Sequence, residues 1–378
     1  MEFSVQRTDF LRELALSQGV VERKTTIPIL SNILLEVLTD SVRITATDLE
    51  LGIRSSCPAK VKKGGSITVP AKKLLDYVRQ LSDDEIKFKL SETAGGGSLQ
   101  VTCGRSHVRM AGMAKDSFPV LPDMASKMAT LPPAILAQMI AKTIFAISSE
   151  ESRYTLNAAL LILKPETMTM VATDGHRLAH IESDDSVTKD GYGGVSGELR
   201  VLIPKKAMTE LSKLLGEVAE GTAVDFCKDD NHLFFRMGQR LLISRMLSGQ
   251  FPNYEAVLPK GNERTVALEQ DEIAAAVRRV ALFSDERSHS IRFQLSTDEV
   301  KITATGSEAG ESEETLPATY QGPTFTIGFN WQYLLDFFAA VGAGKVSFEF
   351  KDEQSAGQIR PAAEDKLKYR YVVMPMRV

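Results

Sequence analysis

The strongest constraint on this chain is a pattern that occurs three times. Residues 42 to 48 read VRITATD, residues 168 to 174 read MTMVATD, and residues 300 to 306 read VKITATG. Each alternates apolar and β-branched residues at period two and ends in a turn, the signature of a short strand. A second apolar strand precedes each one: NILLEVL at 32 to 38, AALLILK at 158 to 164 and IRFQLST at 291 to 297. Each pair predicts a β-hairpin. Downstream a strand runs into an amphipathic helix in every copy: ITVPAKKLLDYVRQL from Ile67, RVLIPKKAMTELSKLL from Arg200 and FTIGFNWQYLLDFFAAV from Phe325. Leu74, Val78 and Leu81, then Met208, Leu211 and Leu215, then Leu334 and Phe338, recur at helical spacing. Upstream, a second helix is expected near Phe10 to Leu16, near Ile135 to Ile147 after Pro132-Pro133, and near Ile273 to Phe283. The copies close on FPVLP (118 to 122), FPNYEAVLP (251 to 259) and VVMPMRV at the C-terminus.

A chain of 378 residues exceeds what one hydrophobic core supports. The repeat divides it into three similar domains, 1–127, 128–260 and 261–378. The fold class is α+β, three tandem domains with two helices each on mostly antiparallel sheets. Tandem copies of such a domain pair their exposed sheet edges into continuous sheets, leaving the terminal edges open. Head-to-tail association of two chains pairs those edges as well and makes a six-domain ring, all helix on one face and all sheet on the other.

The net charge of −4 argues against a protein that wraps nucleic acid with a basic surface, so any DNA contact needs a locally basic face. The helices offer one: Arg7, Arg12, Lys72, Lys73, Arg79, Lys142, Lys205, Lys206, Lys213, Arg278 and Arg279, with Asp76 and Glu210 diluting the pattern. Acids gather instead in GSEAGESEE from Gly306 to Glu314. The start carries Glu2 and no signal-like apolar run, and no stretch reaches the roughly 20 apolar residues of a membrane span, so a cytoplasmic protein without membrane partners is expected. Cys57, Cys103 and Cys227 are far apart and read as buried thiols. The histidines show no metal-ligand spacing, and the glycine stretches from Thr93 and Gly191 lack the lysine and helix of a phosphate loop, so no cofactor or metal is expected. TDGHR at 173 to 177 has no nucleophile beside it, and Asp174 matches the turn residue Asp48. No catalytic residue is assigned.

TVP at 68 to 70, ATDGHRLA at 172 to 179, FPNY at 251 to 254 and YVVMPMR at 371 to 377 closely resemble the DNA polymerase III β subunit family, the bacterial sliding clamps. The similarity runs the length of the chain. It implies a non-catalytic homodimeric ring around duplex DNA, loaded by an ATP-driven clamp loader. It also implies tethering of the DNA polymerase III alpha subunit, and of other polymerases and repair proteins through short apolar peptides. The family's peptide pocket maps onto Leu156, Thr173, Gly175, His176, Arg177, Leu178, Pro252, Val257, Val372, Val373, Met374, Pro375, Met376 and Arg377. Arg177 and Arg377 are expected to donate hydrogen bonds at its rim. The DNA-contacting positions map onto Lys24, Arg153, Lys205 and Lys206. The dimer contact maps onto Leu282 and Phe283, facing Leu74, Val78 and Val108. Glu150 stands where a glutamine is typical, Ala256 where a basic residue is, Val108 where an aromatic is, and Val378 where leucine is. Two other readings stay open: a clamp-like peptide scaffold that does not encircle DNA, and a DNA-acting enzyme, which would need a carboxylate cluster for Mg²⁺.

Overall fold

The computed structural model describes residues 1–21, 26–82, 84–93, 96–150, 152–219, 221–306, 310–363 and 365–377. Its elements recur in one order. The first copy runs β1 (Glu2–Gln6), α1 (Arg7–Leu16), β2 (Asn32–Val37), β3 (Ser41–Thr47), β4 (Leu51–Pro58), β5 (Lys60–Lys63), β6 (Gly65–Pro70), α2 (Ala71–Gln80), β7 (Glu85–Thr93), β8 (Gly96–Cys103) and β9 (Ser106–Ala111). The second runs β10 (Ala129–Leu131), α3 (Pro133–Ala141), β11 (Ala158–Leu163), β12 (Met168–Thr173), β13 (Arg177–Ser183), β14 (Leu199–Pro204), α4 (Lys205–Leu215), β15 (Val224–Lys228), β16 (His232–Met237) and β17 (Arg240–Arg245). The third runs β18 (Arg264–Glu269), α5 (Gln270–Ala281), β19 (Ser290–Ser296), β20 (Glu299–Gly306), β21 (Gly310–Pro317), β22 (Phe325–Asn330), α6 (Trp331–Val341), β23 (Lys345–Phe350), β24 (Gly357–Pro361) and β25 (Leu367–Val373). Among the described residues, only the first copy carries an extra strand, β5.

The three expected hairpins form, as β2–β3, β11–β12 and β19–β20. The helices fall at the expected places, with one shortened. α3 stops at Ala141, because Thr143 turns its hydroxyl back onto the Met139 carbonyl (2.7 Å) and the chain continues as a 3₁₀ turn, Ile144–Ala146. The closing segments are not equivalent. FPVLP and FPNYEAVLP follow the last strands of their copies, whereas VVMPMRV contains the end of β25.

The chain forms two compact units, Met1–Pro133 with Lys206–Met246, and Ala134–Lys205 with Leu247–Val378. The first holds a five-stranded sheet, β5-β1-β7-β8-β9, and an eight-stranded sheet, β10-β15-β16-β17-β4-β3-β2-β6. The second holds an eight-stranded sheet, β14-β11-β12-β13-β25-β24-β23-β18, and a four-stranded one, β21-β20-β19-β22. Each eight-stranded sheet joins two copies of the repeat by one rule: the last strand of the later copy adds antiparallel to the third strand of the earlier copy's hairpin system. β17 thus pairs with β4 and β25 with β13. β9 and β21, the remaining strands of these two kinds, each end a sheet.

In the first unit α1 and α2 cover one face of the five-stranded sheet. Phe10 packs on Phe88, which stacks on Phe3 with ring centroids 4.7 Å apart. Leu74 and Val78 are completely buried in this core. That corrects their expected place at a contact between chains: the apolar face of α2 is consumed by its own domain, as an amphipathic helix on a sheet requires. The three cysteines are buried and free, and burial pushes the Cys57 thiol up to about 12.

Candidate functional site

The β12–β13 turn organises the second unit's candidate site. The Asp174 carboxylate accepts from the backbone N–H of His176 (3.0 Å) and Arg177 (3.1 Å), while the Thr173 hydroxyl accepts from Gly175 N–H (3.1 Å) and donates to the Arg177 carbonyl (2.6 Å). The β3–β4 turn repeats this bonding. Asp48 accepts from Glu50 and Leu51, and Thr47 accepts from Leu49 and donates to Leu51. Asp174 is therefore the structural counterpart of Asp48, held by the self-bonding that suits aspartate to tight turns. The residue after that aspartate has positive φ in both turns, Leu49 at 78° and Gly175 at 90°.

The turn forms one wall of a cleft of about 120 Å³, lined by Leu156, Thr173, Gly175, His176, Arg177, Leu178, Pro252, Tyr254, Val257, Val372 and Met374. Its floor is an apolar cluster that includes Leu160, Val171, Leu178, Tyr254 and Val372, with Leu247, Phe251 and Leu258 packed against it. Ten of the eleven lining residues are those the resemblance indicates. The eleventh, Tyr254, is the last letter of the FPNY motif, and its place two residues after Pro252 is the signal that could have found it.

Four tail residues do not line the cleft. Val372 pairs with Leu178 and Val373 with Arg177 across β13–β25, so successive side chains point to opposite faces, and Val373 is completely buried on the far one. Met376 N–H bonds the Gly328 carbonyl (2.8 Å), carrying Pro375 and Met376 toward β22, and Arg377 is exposed. Met374 stays at the cleft, its N–H on the His176 carbonyl (2.9 Å).

Arg177 also differs from the expectation. Only 9% of its side chain is exposed, and its donors are engaged: Nε to Asp174 (2.9 Å), one terminal nitrogen to Asp336 (2.6 Å) and the other to the Phe145 carbonyl (2.7 Å). The guanidinium lies 4.4 Å from the Tyr333 ring centroid. Burial works against its charge, but Tyr371, Asp336 and Asp174 outweigh it and hold the guanidinium protonated. Arg177 is thus a pillar behind the cleft, with no fork left for a ligand. Beneath Tyr254, whose ring centroid is 5.6 Å away, His180 is buried with Nδ1 unpartnered, and burial lowers its imidazole to about 4.

The expected DNA contacts that are described have partners within the fold. Arg153 sits at the rim of the cleft, bonded to the Asp174 carbonyl (2.7 Å) and paired with Glu150 (3.1 Å). Lys205 bonds the Ile147 carbonyl (3.4 Å), Lys206 pairs with the buried carboxylate of Asp48, and Lys24 lies outside the described residues. Other helix cations are partnered too: Arg12 with Asp9, Lys213 with Glu210 and Arg279 with Glu314 of β21. The acidic strand therefore tempers part of the basic helix surface. Lys72, Lys73 and Arg278 are exposed. Leu282 and Phe283 are exposed just beyond α5, and Val108 is half-buried on β9. No helix among the described residues is long and apolar enough to cross a membrane.

The chain matches three family models in sequence: DNA polymerase III beta subunit, N-terminal domain, over residues 1–122; central domain, over 130–253; and C-terminal domain, over 255–377. The beta sliding clamp of Pseudomonas aeruginosa is 34% identical over 382 residues, covering 100% of both chains. The crystal structure of the DNA polymerase III subunit beta from that organism superimposes with a TM-score of 0.92 over 100% of both chains at 34% identity. The griselimycin-bound sliding clamp of the same organism matches equally, with a TM-score of 0.92, 34% identity and complete coverage.

Proposed function

The chain belongs to the DNA polymerase III beta subunit family, and from that membership we propose that it acts as a sliding clamp, a non-catalytic ring that encircles duplex DNA and tethers the replicative polymerase. The observation that carries this reading is the junction rule. Within one chain it operates twice, at β17–β4 and at β25–β13. A third use, β9 of one chain added to β21 of another, removes both open edges and joins two chains head to tail into a closed ring. Leu282, Phe283 and half-buried Val108 lie at or near those edges and supply apolar surface for the contact. The matched segments meet between residues 122 and 130, which supports a first domain limit near residue 128, and between residues 253 and 255, a few residues before the second limit proposed at 261.

A ring of this kind works by topology. It need not bind tightly if it cannot leave without opening, so weak phosphate contacts from lysines and arginines on the helices suffice and leave sliding independent of sequence. Lys24, Arg153, Lys205 and Lys206 are the proposed contacts, with exposed Lys72, Lys73 and Arg278. The cleft receives short apolar peptides from the polymerase alpha subunit, the clamp loader, other polymerases and repair proteins. Its aliphatic floor and Met374 give an adaptable surface for several partners. The site of action is the cytoplasm.

The test is retention on nicked circular DNA after loading with a matching clamp loader and ATP. Protein that stays on the circle in high salt and leaves once the circle is cut is held topologically. Protein indifferent to linearisation is bound by affinity alone, which would overturn the reading.

A further inference from the structure

The face of the five-stranded sheet that points away from α1 and α2 is strongly basic in a chain whose net charge is −4. The alternation that turns Phe3, Val5, Ile86, Phe88, Leu99 and Val101 into the core turns the residues between them outward. On that outer side stand Lys87 and Lys89 of β7, Arg109 of β9 and the exposed lysines of β5, Lys60, Lys62 and, through the register shift that sets it opposite Glu2, Lys63, against only Glu2 and Glu85 among the described side chains. Glu2 is held by Lys62 (3.1 Å) and Glu85 by Lys60 (3.0 Å). Lys63, Lys87 and Lys89 are exposed and form no ion pair among the described residues.

Lysines on β5 alone would follow from its place at the edge of the sheet, where positive charge prevents unwanted pairing. That explanation does not reach Lys87 and Lys89, because β7 is paired on both sides, with β1 and β8. The cations form rows, about 7 Å apart along a strand and about 10 Å apart between β5 and β7 across β1. Between and beside them stand Ser4, Gln100, Thr102 and His107, hydrogen-bonding groups, with no Phe, Tyr, Trp or large aliphatic side chain exposed among the described residues of this face. A protein partner anchors on an apolar centre, and a single strand of nucleic acid stacks on a platform of aromatic rings. Neither finds a foothold. The phosphate backbone of duplex DNA needs only what is present, repeated positive charge and small donors.

We propose that this sheet face is a second, sequence-independent binding site for duplex DNA. The proposal rests on the clamp reading only in lying outside the ring's hole. That separates the tests, because covalently closed circular DNA cannot thread a closed ring without a loader. Binding of the full-length protein to a closed duplex minicircle, without loader or ATP, is measured by electrophoretic mobility across a salt series. The expected result is salt-sensitive binding that survives linearisation. K87E/K89E should make the slope of log K against log salt shallower by about 1.8, since each phosphate left without its lysine accounts for about 0.9, and should weaken binding about a hundredfold at ~50 mM salt. The same variant should still be loaded and topologically retained on nicked circles. The proposal is overturned if the wild type does not bind the minicircle, or if K87E/K89E binds it as well as the wild type. It is equally overturned if a single-stranded circle or polyglutamate displaces the minicircle at lower concentration than duplex DNA does. Loss of loader-dependent retention in the wild type would defeat the ring instead and leave this site standing.

Discussion

Replacing Arg177 by methionine tests whether the cleft depends on a buried charge behind it. Methionine keeps most of the stem volume but removes every donor. Asp174, Asp336 and the Phe145 carbonyl are then left without their partner together. Breaking a buried ion pair from one side costs about 3–5 kcal/mol. The Asp336 side chain is 26% exposed and that of Asp174 15%, so water recovers part of the loss and the lower figure, about 3 kcal/mol, applies. Hydrogen exchange of the β12 and β13 amides reads this directly, because exchange through local opening accelerates tenfold per 1.36 kcal/mol, or about 150-fold here. A peptide that binds the cleft should weaken in parallel, since the turn carrying His176 and Leu178 loses its anchor. Asp336→Asn in the Arg177→Met background should add little further loss, because it removes an already stranded charge. Exchange within about threefold of the wild type would refute the reasoning and mean that the guanidinium is solvated rather than integral.

Three further outcomes are expected. His180 is neutral when folded, its imidazole pushed down to about 4 against roughly 6.5 unfolded, so the unfolded chain binds the extra proton between those values. Stability should rise with pH across that window and level off above it. His180→Phe should flatten the rise by about 3 kcal/mol in urea titrations from pH 4 to 7. Leu282→Asp should shift the chain toward monomer at micromolar concentration in sedimentation velocity, and its thermal midpoint should equal that of the wild type once both are diluted to monomer, since Leu282 is 77% exposed and supports no core. Gly175→Ala, at φ 90° and with a new Cβ 2.7 Å from the Arg153 guanidinium, should cost about 1–2 kcal/mol and weaken peptide binding measured by fluorescence anisotropy.

The repeat, the three hairpins and the six α-helices of the described residues are legible in the sequence because their signals are local, period two for a half-buried strand and 3.6 for a helix. Most of the cleft is legible too, through ATDGHRLA and the tail. Val373 does not belong with it, since alternation alone forbids it from sharing a face with Val372, and Tyr254 does, as the end of a motif whose proline already points there. Other features have no local signal. The burial of Leu74 and Val78 depends on what covers α2, and a helical stripe looks the same whether its own domain or another chain receives it. The engagement of Arg177 depends on Asp336 from the next copy, 159 residues away. Lys87 and Lys89 join the β5 lysines on one face only through β1. A sequence states each side chain's charge and the local period that orients it. Tertiary structure decides which distant groups meet it, and so whether a charge is spent inside the fold, as at Arg177, or left for a ligand, as at Lys87 and Lys89.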